Sequence, residues 1–318
     1  MATTSDPLPP FRFSLQAAQI GSRREWVELV KRVDDAGFDM LVTADHLGGC
    51  LSPLLPLATA AEVSQRLRFG VMVLNNDFHH PSLLARSAAT LDLLTDGRVE
   101  LGLGAGHSQP EYERAGLPFD RAGVRVDRLA EAVPILRRLL DGETVTATGT
   151  HYQLTDEQCD PKPVQASVPL LVGGGGRRVH RIAAQHADAV GFSGLGRTLA
   201  DGQDHEPSGF TPDRVDADVA AVASAPRQRT RPLERQVLVQ VVAVTDDARG
   251  TAEKIQSSDL PSLTVAEVRA TPYLMIGSAA ALAEQLTEQR ERWGFSHYTV
   301  RREALGQLEP VIAALAGR

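Results

Sequence analysis

Cysteine is scarce in this 318-residue chain: Cys50 and Cys159 allow at most a single bridge and exclude a disulfide framework. Long apolar runs are also missing. No stretch reaches the roughly 18 consecutive apolar residues of a membrane span, and no basic-then-apolar leader opens the chain. The expectation is a soluble cytoplasmic protein with no membrane partner. There is no excess of positive charge either. The formal net charge of -7 argues against nucleic acid as a partner, which would need a concentrated basic face.

Several motifs are absent with equal consequence. Without G-x-S-x-G, a Ser-His-Asp hydrolase is disfavoured. Without H-E-x-x-H, paired cysteines or an H-x-H at the end of strand one ("LQAAQ"), no metal site is expected. A dinucleotide fingerprint should follow the first strand, and none does; "GLGAG" at 102–106 has the wrong spacing. What is present is ordinary globular material, 42% hydrophobic and 23% charged, enough for one large α/β domain or two smaller ones. Residues 1–10, "MATTSDPLPP", read as a poorly ordered lead-in.

From residue 11 to 318 short apolar strands alternate with amphipathic helices. The strands are expected at 11–15, 39–43, 68–74, 98–104, 169–173, 188–192, 236–244 and 297–300. Trp26, Leu29, Val30 and Val33 follow the helical i, i+3, i+4, i+7 pattern, and Leu84, Ala88 and Leu91 follow it more loosely. Leu129, Val133, Leu136 and Leu140 mark a longer helix with a kink expected at Pro134, and Leu305, Leu308, Ile312 and Leu315 mark the last. Eight such units predict a single (β/α)8 TIM barrel, with a doubly wound open sheet as the alternative. Insertions follow strands 4, 6 and 7. The first holds a hairpin, "TVTATGTHYQL", turning near Thr148-Gly149; the second, 195–213, reads as a polar loop or lid; the third fills 246–277.

In such a barrel the chemistry lies where strands end. Strand two ends in "TADHL", three in "LNNDFHHP", four in "GAGH", five in "GGGGRR" and six in "FSGLGR". Glycine loses the most conformational freedom on folding, so four in a row need a reason. Before a helix they would expose backbone N–H groups at a positive N-terminus, an anion site to which Arg177 and Arg178 add charge. The plainer alternative is a tight turn that lets strand and helix pack. Asp45-His46 reads either as a proton carrier with its neighbour or as a capping aspartate beside a core histidine. His107 is equally open. His79 and His80 precede Pro81 at a helix start, where packing or capping suits them.

In order and spacing these pieces resemble the bacterial luciferase-like superfamily of flavin and deazaflavin oxidoreductases, in its coenzyme F420 branch. "DAGFDMLVTADH" is similar to its strand-two signature and the run from "RLRFGVMVLNNDF" through "GLGAGHSQPEYERAGLPFDRAGVRVDRLAEAV" to its central block. "VPLLVGGGGRRVHRIAAQHADAVGF" resembles the strand-five cofactor turn, and "MIGSAAALAEQLTEQRERWGFSHYTV" the C-terminal helix and last strand. The resemblance implies a barrel that binds F420, or alternatively FMN, at its strand-end face. Asp45 and His46 would lie by the ring, backed by a non-prolyl cis peptide at Met72-Val73 with Leu74 and Asn75 beside it. Ala105, Gly106 and His107 would flank the ring. Gly173, Gly174, Gly175, Gly176 and Arg177, with Ser193 and Gly194, would hold the phosphate.

The implied activity is hydride transfer between the deazaflavin and a small organic substrate, with His46, then His107, then Glu111 as proton carrier. The alternatives are an FMN-dependent monooxygenase served by a separate reductase and a cofactor-binding barrel without catalysis. The resemblance departs at His107, where sugar-phosphate dehydrogenases of this branch carry an acid, and near Pro272, where their phosphate-binding cations have no match. Glucose 6-phosphate is therefore not the expected substrate. Luciferase-like barrels usually pair, so a homodimer on outer helices is expected by analogy.

Overall fold

A computed structural model describes residues 9–196, 206–229 and 231–318. Eight strands, β1 (Arg12–Gln16), β2 (Met40–Thr43), β3 (Arg68–Asn75), β4 (Val99–Gly104), β5 (Leu170–Gly173), β6 (Ala189–Phe192), β7 (Glu234–Leu238) and β8 (Phe295–Arg301), close into a barrel. Every neighbouring pair is parallel, and β1 pairs with both β8 and β2. This is the expected (β/α)8 barrel. Around it run α1 (Arg23–Asp35), α2 (Leu55–Ala61), α3 (Pro81–Leu94), α4 (Gln109–Ala115), α5 (Ala122–Leu140) and α6 (Arg177–His186). They are followed by α7 (Pro212–Ser224), α8 (Ala248–Ser258), α9 (Val265–Ala270), α10 (Ala279–Trp293) and α11 (Glu309–Leu315).

Local chemistry sets these elements. In α1 the Ser22 hydroxyl caps the Glu25 N–H at 3.2 Å, and Trp26, Leu29, Val30 and Val33 are all buried against the barrel. At the start of α3, Pro81 takes the first helical position and the His80 ring accepts the Ser82 N–H. Pro134 lies inside one continuous helix, α5. The expected hairpin forms between Val145–Thr148 and Gln153–Glu157.

Strand alternation sorts the side chains into an outer set facing the helices and an inner set filling the axis. In β1, Phe13 and Leu15 join the helix-side core, while Arg12, Ser14 and Gln16 point inward. At the floor of the barrel, Arg12 bonds Glu100 at 2.6 Å and Glu234 at 3.0 Å, and Arg68 also pairs with Glu100. His297 stands over this group, its rings nitrogens reaching Ser14 Oγ at 2.5 Å and facing Glu234 at 3.4 Å. Above it lie Met40, Val42, Met72, Leu171 and Ala189. Higher still, several inner positions are glycines.

β3 carries one residue more than β4 between matched pairs, since Val71 pairs with Leu101 and Leu74 with Leu103. At this bulge both Met72 and Val73 belong to the inner cluster, and the peptide between them is cis, as the resemblance implied.

Two expectations change. The run 236–244 is not one strand. Val239 N–H still bonds β8 at Thr299, but Gln240 N–H bonds the Tyr273 carbonyl, and Val241–Val244 then pairs with Leu274–Gly277 outside the barrel. Apolar periodicity marks a strand without naming its partner. Within 195–213, Pro207–Phe210 is a short helical turn with Phe210 buried and Pro212 begins α7, so that part is not a polar loop. Residues 197–205 lie outside the described residues, as do residues 1–8 of the lead-in. Cys50 and Cys159 are both free thiols.

Among the described residues no helix is long and apolar enough to cross a membrane, and no group of three or more His, Cys, Asp or Glu could hold a metal ion.

The floor predicts an acid limit. Burial pushes the Glu234 carboxyl up, but His297 and Arg12 outweigh it and hold it at about 2. A carboxyl lower in the folded than in the unfolded state contributes stability that is fully present above its unfolded value, about 4.3, and is lost as pH falls towards 2. Thermal melts should therefore show a stability loss across that window. Glu234→Gln should lower stability at neutral pH by roughly 1.5–3 kcal/mol, because Arg12 keeps Glu100 but loses its second carboxylate, and should flatten the loss in acid.

Candidate active site

The strand-end face is built around the glycine turn after β5. Gly174 and Gly176 have φ of 137° and 96°, a region that side chains rarely adopt. A Cβ on Gly175 would come within 2.9 Å of the Leu195 carbonyl oxygen, whereas one on Gly176 would meet nothing within 4 Å. The turn is thus tight on one side and open on the other. Gly176 caps α6, whose first N–H groups have no side-chain cap. Arg178 is committed to Asp127 and the Gly123 carbonyl. Arg177 is exposed and has no ion pair among the described residues. Beneath the turn His180 is buried, and that burial holds its imidazole below the ordinary range, so it stays neutral. The helix start therefore offers dipole and bare backbone to an anion.

Across the mouth stands His46, just beyond β2. Its Nδ1 lies 2.8 Å from Glu111 Oε1, while Glu111 Oε2 accepts the Leu47 N–H at 3.0 Å. Glu111 sits in the first turn of α4 and is buried. Burial pushes its carboxyl up, but the Leu47 N–H and His46 outweigh that and hold it below the usual carboxylate range. The carboxylate thus fixes Nδ1 as the proton-bearing nitrogen and leaves Nε2 as the acceptor. His107 packs edge-on against His46, ring centres 5.4 Å apart. Cys50 is near this group, and burial, with Glu111 and Asp45 nearby, pushes its thiol up.

Asp45 reaches across to the end of β3. Its Oδ2 accepts the Asn75 N–H at 2.9 Å and lies 2.8 Å from His79 Nε2. It ties the end of β3 to that of β2. Tyr112 Oη reaches Asn75 Oδ1 at 3.0 Å and Asp77 Oδ2 at 3.1 Å, and Asp77 is held by Arg128 at 2.7 Å. Gly106, with φ 75°, has no room for a Cβ, which would stand 2.1 Å from that same Tyr112 oxygen. Ala105 packs on the core beside it, and Leu74 turns its side chain outward, so only its backbone faces the axis side. Gly194, with φ 69°, lets the ring of Tyr273 approach where a Cβ would be 2.6 Å away, and Ser193 carries the adjoining carbonyl.

Three residues of this face escaped sequence reading. Gln16 donates to the Met72 carbonyl at 2.6 Å, Gln240 donates to the Ser193 carbonyl at 3.1 Å, and Arg301 bonds Gln240 Oε1 at 2.9 Å. Gln16 and Arg301 close β1 and β8, where reading the last residue of each strand would have found them. Gln240 was hidden inside an apolar run. Of the two histidines before Pro81, for which packing or capping is expected, His80 caps the helix and His79 meets Asp45.

The closed barrel thus brings an anion-ready glycine turn and a histidine–carboxylate pair to one strand-end face. The chain belongs to the luciferase-like monooxygenase family, whose model matches residues 8–297. It is 37% identical over 175 residues to an F420-dependent glucose-6-phosphate dehydrogenase of Beutenbergia cavernae, a match covering 52% of this chain and 52% of that protein. It is 38% identical over 152 residues to 4-hydroxyprotoasukamycin monooxygenase of Streptomyces nodosus subsp. asukaensis, covering 46% of this chain and 40% of the relative. These matches span about half the length of the curated relatives. In fold it is similar to an F420-dependent secondary alcohol dehydrogenase, with a TM-score of 0.74, 17% identity and coverage of 96% and 98% of the two chains.

Proposed function

We propose that this protein is an F420-dependent oxidoreductase that moves hydride between the deazaflavin and a small organic substrate. The observation that carries the reading is the His46–Glu111 pair at 2.8 Å, set on the same strand-end face as the glycine turn. The curated relative from Beutenbergia cavernae and the alcohol dehydrogenase fold support it.

The residues fit the cofactor. Gly174 to Gly176 and the start of α6 would hold its phosphate, with Arg177 supplying charge. Val73, beside Gly104 and Gly173, would back the ring, and Gln16 fixes the neighbouring Met72 carbonyl. When bound, a deazaflavin supplies hydride exchange only, at one ring carbon. The protein's task is then the proton. In the oxidation direction His46 Nε2 takes a hydroxyl proton from the substrate, and in reduction it returns one. Glu111 holds the imidazole in the required tautomer and faces the positive charge that forms on it. Here a carboxylate from α4 reaches the histidine, while the strand-four end itself carries His107. Asp45 acts as a positioning residue through Asn75 and His79.

A second reading, an FMN-dependent monooxygenase, is favoured by the likeness to 4-hydroxyprotoasukamycin monooxygenase. Fluorescence titration of the purified protein with F420 and with FMN separates the two; preferential binding of FMN sinks the first.

Arg177→Ala should weaken F420 binding by about tenfold, the scale of one charge-assisted phosphate contact, with an unchanged melting temperature. Gly174→Val should weaken it further through the backbone, and unchanged affinity in both folded variants would remove the phosphate assignment.

His46→Ala should retain the cofactor and lose ~10²–10⁴ in turnover, with Glu111→Gln falling between it and the parent. Normal turnover by His46→Ala and by His107→Ala alike would rule out both histidines as proton carriers.

The assembly is a homodimer through α2 and α3. Leu55, Leu83 and Leu94 are exposed there, and the last two lie 11 residues apart, hence on one face of α3. Light scattering should give twice the 34.2 kDa of one chain, and Leu83→Asp with Leu94→Asp should give one.

A further inference from the structure

The mouth of the barrel holds a cation that the hydride-transfer reading does not use. Arg301 is the last residue of β8, and alternation fixes its direction. Tyr298 and Val300 belong to the helix-side core, whereas His297 meets Ser14 and Thr299 meets Met72 Sδ at 3.3 Å inside the barrel. Arg301 continues that inner row, and it pairs in register with Gln16 of β1. It is exposed at the open end rather than buried.

Its partners are unusual for a surface arginine. Two amide side chains hold it: Gln240 Oε1 at 2.9 Å and, at the limit of hydrogen bonding, Gln16 Oε1 at 3.5 Å. Each amide is itself anchored on a backbone carbonyl of the site, Ser193 for Gln240 and Met72 for Gln16. No carboxylate pairs with Arg301 among the described residues. The adjacent Arg302, by contrast, is neutralised by Glu25 at 2.6 Å. A guanidinium has five N–H donors, so at least three remain after the two amide contacts.

We propose that Arg301 is a specificity-determining residue that binds an oxyanion group of the substrate, such as a carboxylate. The proposal rests on the hydride-transfer reading, which places the reacting carbon over the same mouth. Two neutral anchors fix the guanidinium without cancelling its charge, which leaves a planar fork suited to a bidentate anion. The same chemistry could serve an anionic group of the cofactor instead, and the test separates these sources.

The protein loaded with F420, and the protein alone, would be titrated with sodium acetate and with inorganic phosphate at constant ionic strength. Cofactor fluorescence and melting temperature are the readouts. We expect saturable binding of at least one anion by the loaded protein, with half-saturation raised about tenfold or more in Arg301→Gln. The same variant should keep its F420 affinity within about twofold of the parent. No saturable anion binding by the parent overturns the proposal, and so does equal binding by parent and variant. A variant that loses F420 affinity instead assigns the cation to the cofactor and also overturns it. Failure of the parent to bind F420 sinks the hydride-transfer reading separately, and the melting-temperature titration of the protein alone still decides the role of Arg301.

Discussion

Arg12, bridging Glu100 and Glu234 across the axis, closes the floor of the barrel, and the space above depends on it. Closing eight parallel strands leaves an interior that side chains must fill. This chain fills the bottom with two arginines and two glutamates in contact, half-buried, so the charges neutralise one another. His297 and Ser14 seal the layer above. Met40, Val42, Leu171 and Ala189 form an apolar middle.

Above that level the inner wall thins. Gly102, Gly104 and Gly173 present bare backbone to Val73, whose methyl groups would lie 2.8–3.1 Å from any Cβ added there. The bulge in β3 turns Val73 into this space, while the glycines keep the wall flat around it. Packing at the floor and absence of side chains near the mouth are two halves of one arrangement. The first holds the strands in register, and the second leaves the inner wall near the mouth as bare backbone.

The residues at the mouth are held by their neighbours rather than by their own elements. Glu111 orients His46 from α4, Asp45 secures Asn75 across two strand ends, and Gln16 and Gln240 steady Arg301 from β1 and from beyond β7. Each link joins segments that are distant in sequence. Such an arrangement keeps its geometry only while the barrel keeps its shear.

The sequence by itself determined the alternation of strand and helix, the closed (β/α)8 architecture, and the glycine turn that starts α6. These are local facts: apolar periodicity, caps such as Ser22 and Pro81, and backbone angles open only to glycine at 174 and 176. It also placed His46 and His107 on the strand-end face, because strand ends of such a barrel share one side. Tertiary structure alone decided the partners. Glu111 follows His107 by four residues yet reaches back to His46, and His79 serves Asp45 rather than its own helix. The run 236–244 parts between two sheets, because hydrogen-bond partners rather than hydropathy end a strand. Arg301 gained its meaning only when closure brought β8 beside β1. Spacing along a chain fixes which way a side chain points, but which group it meets depends on segments that only the folded barrel brings together.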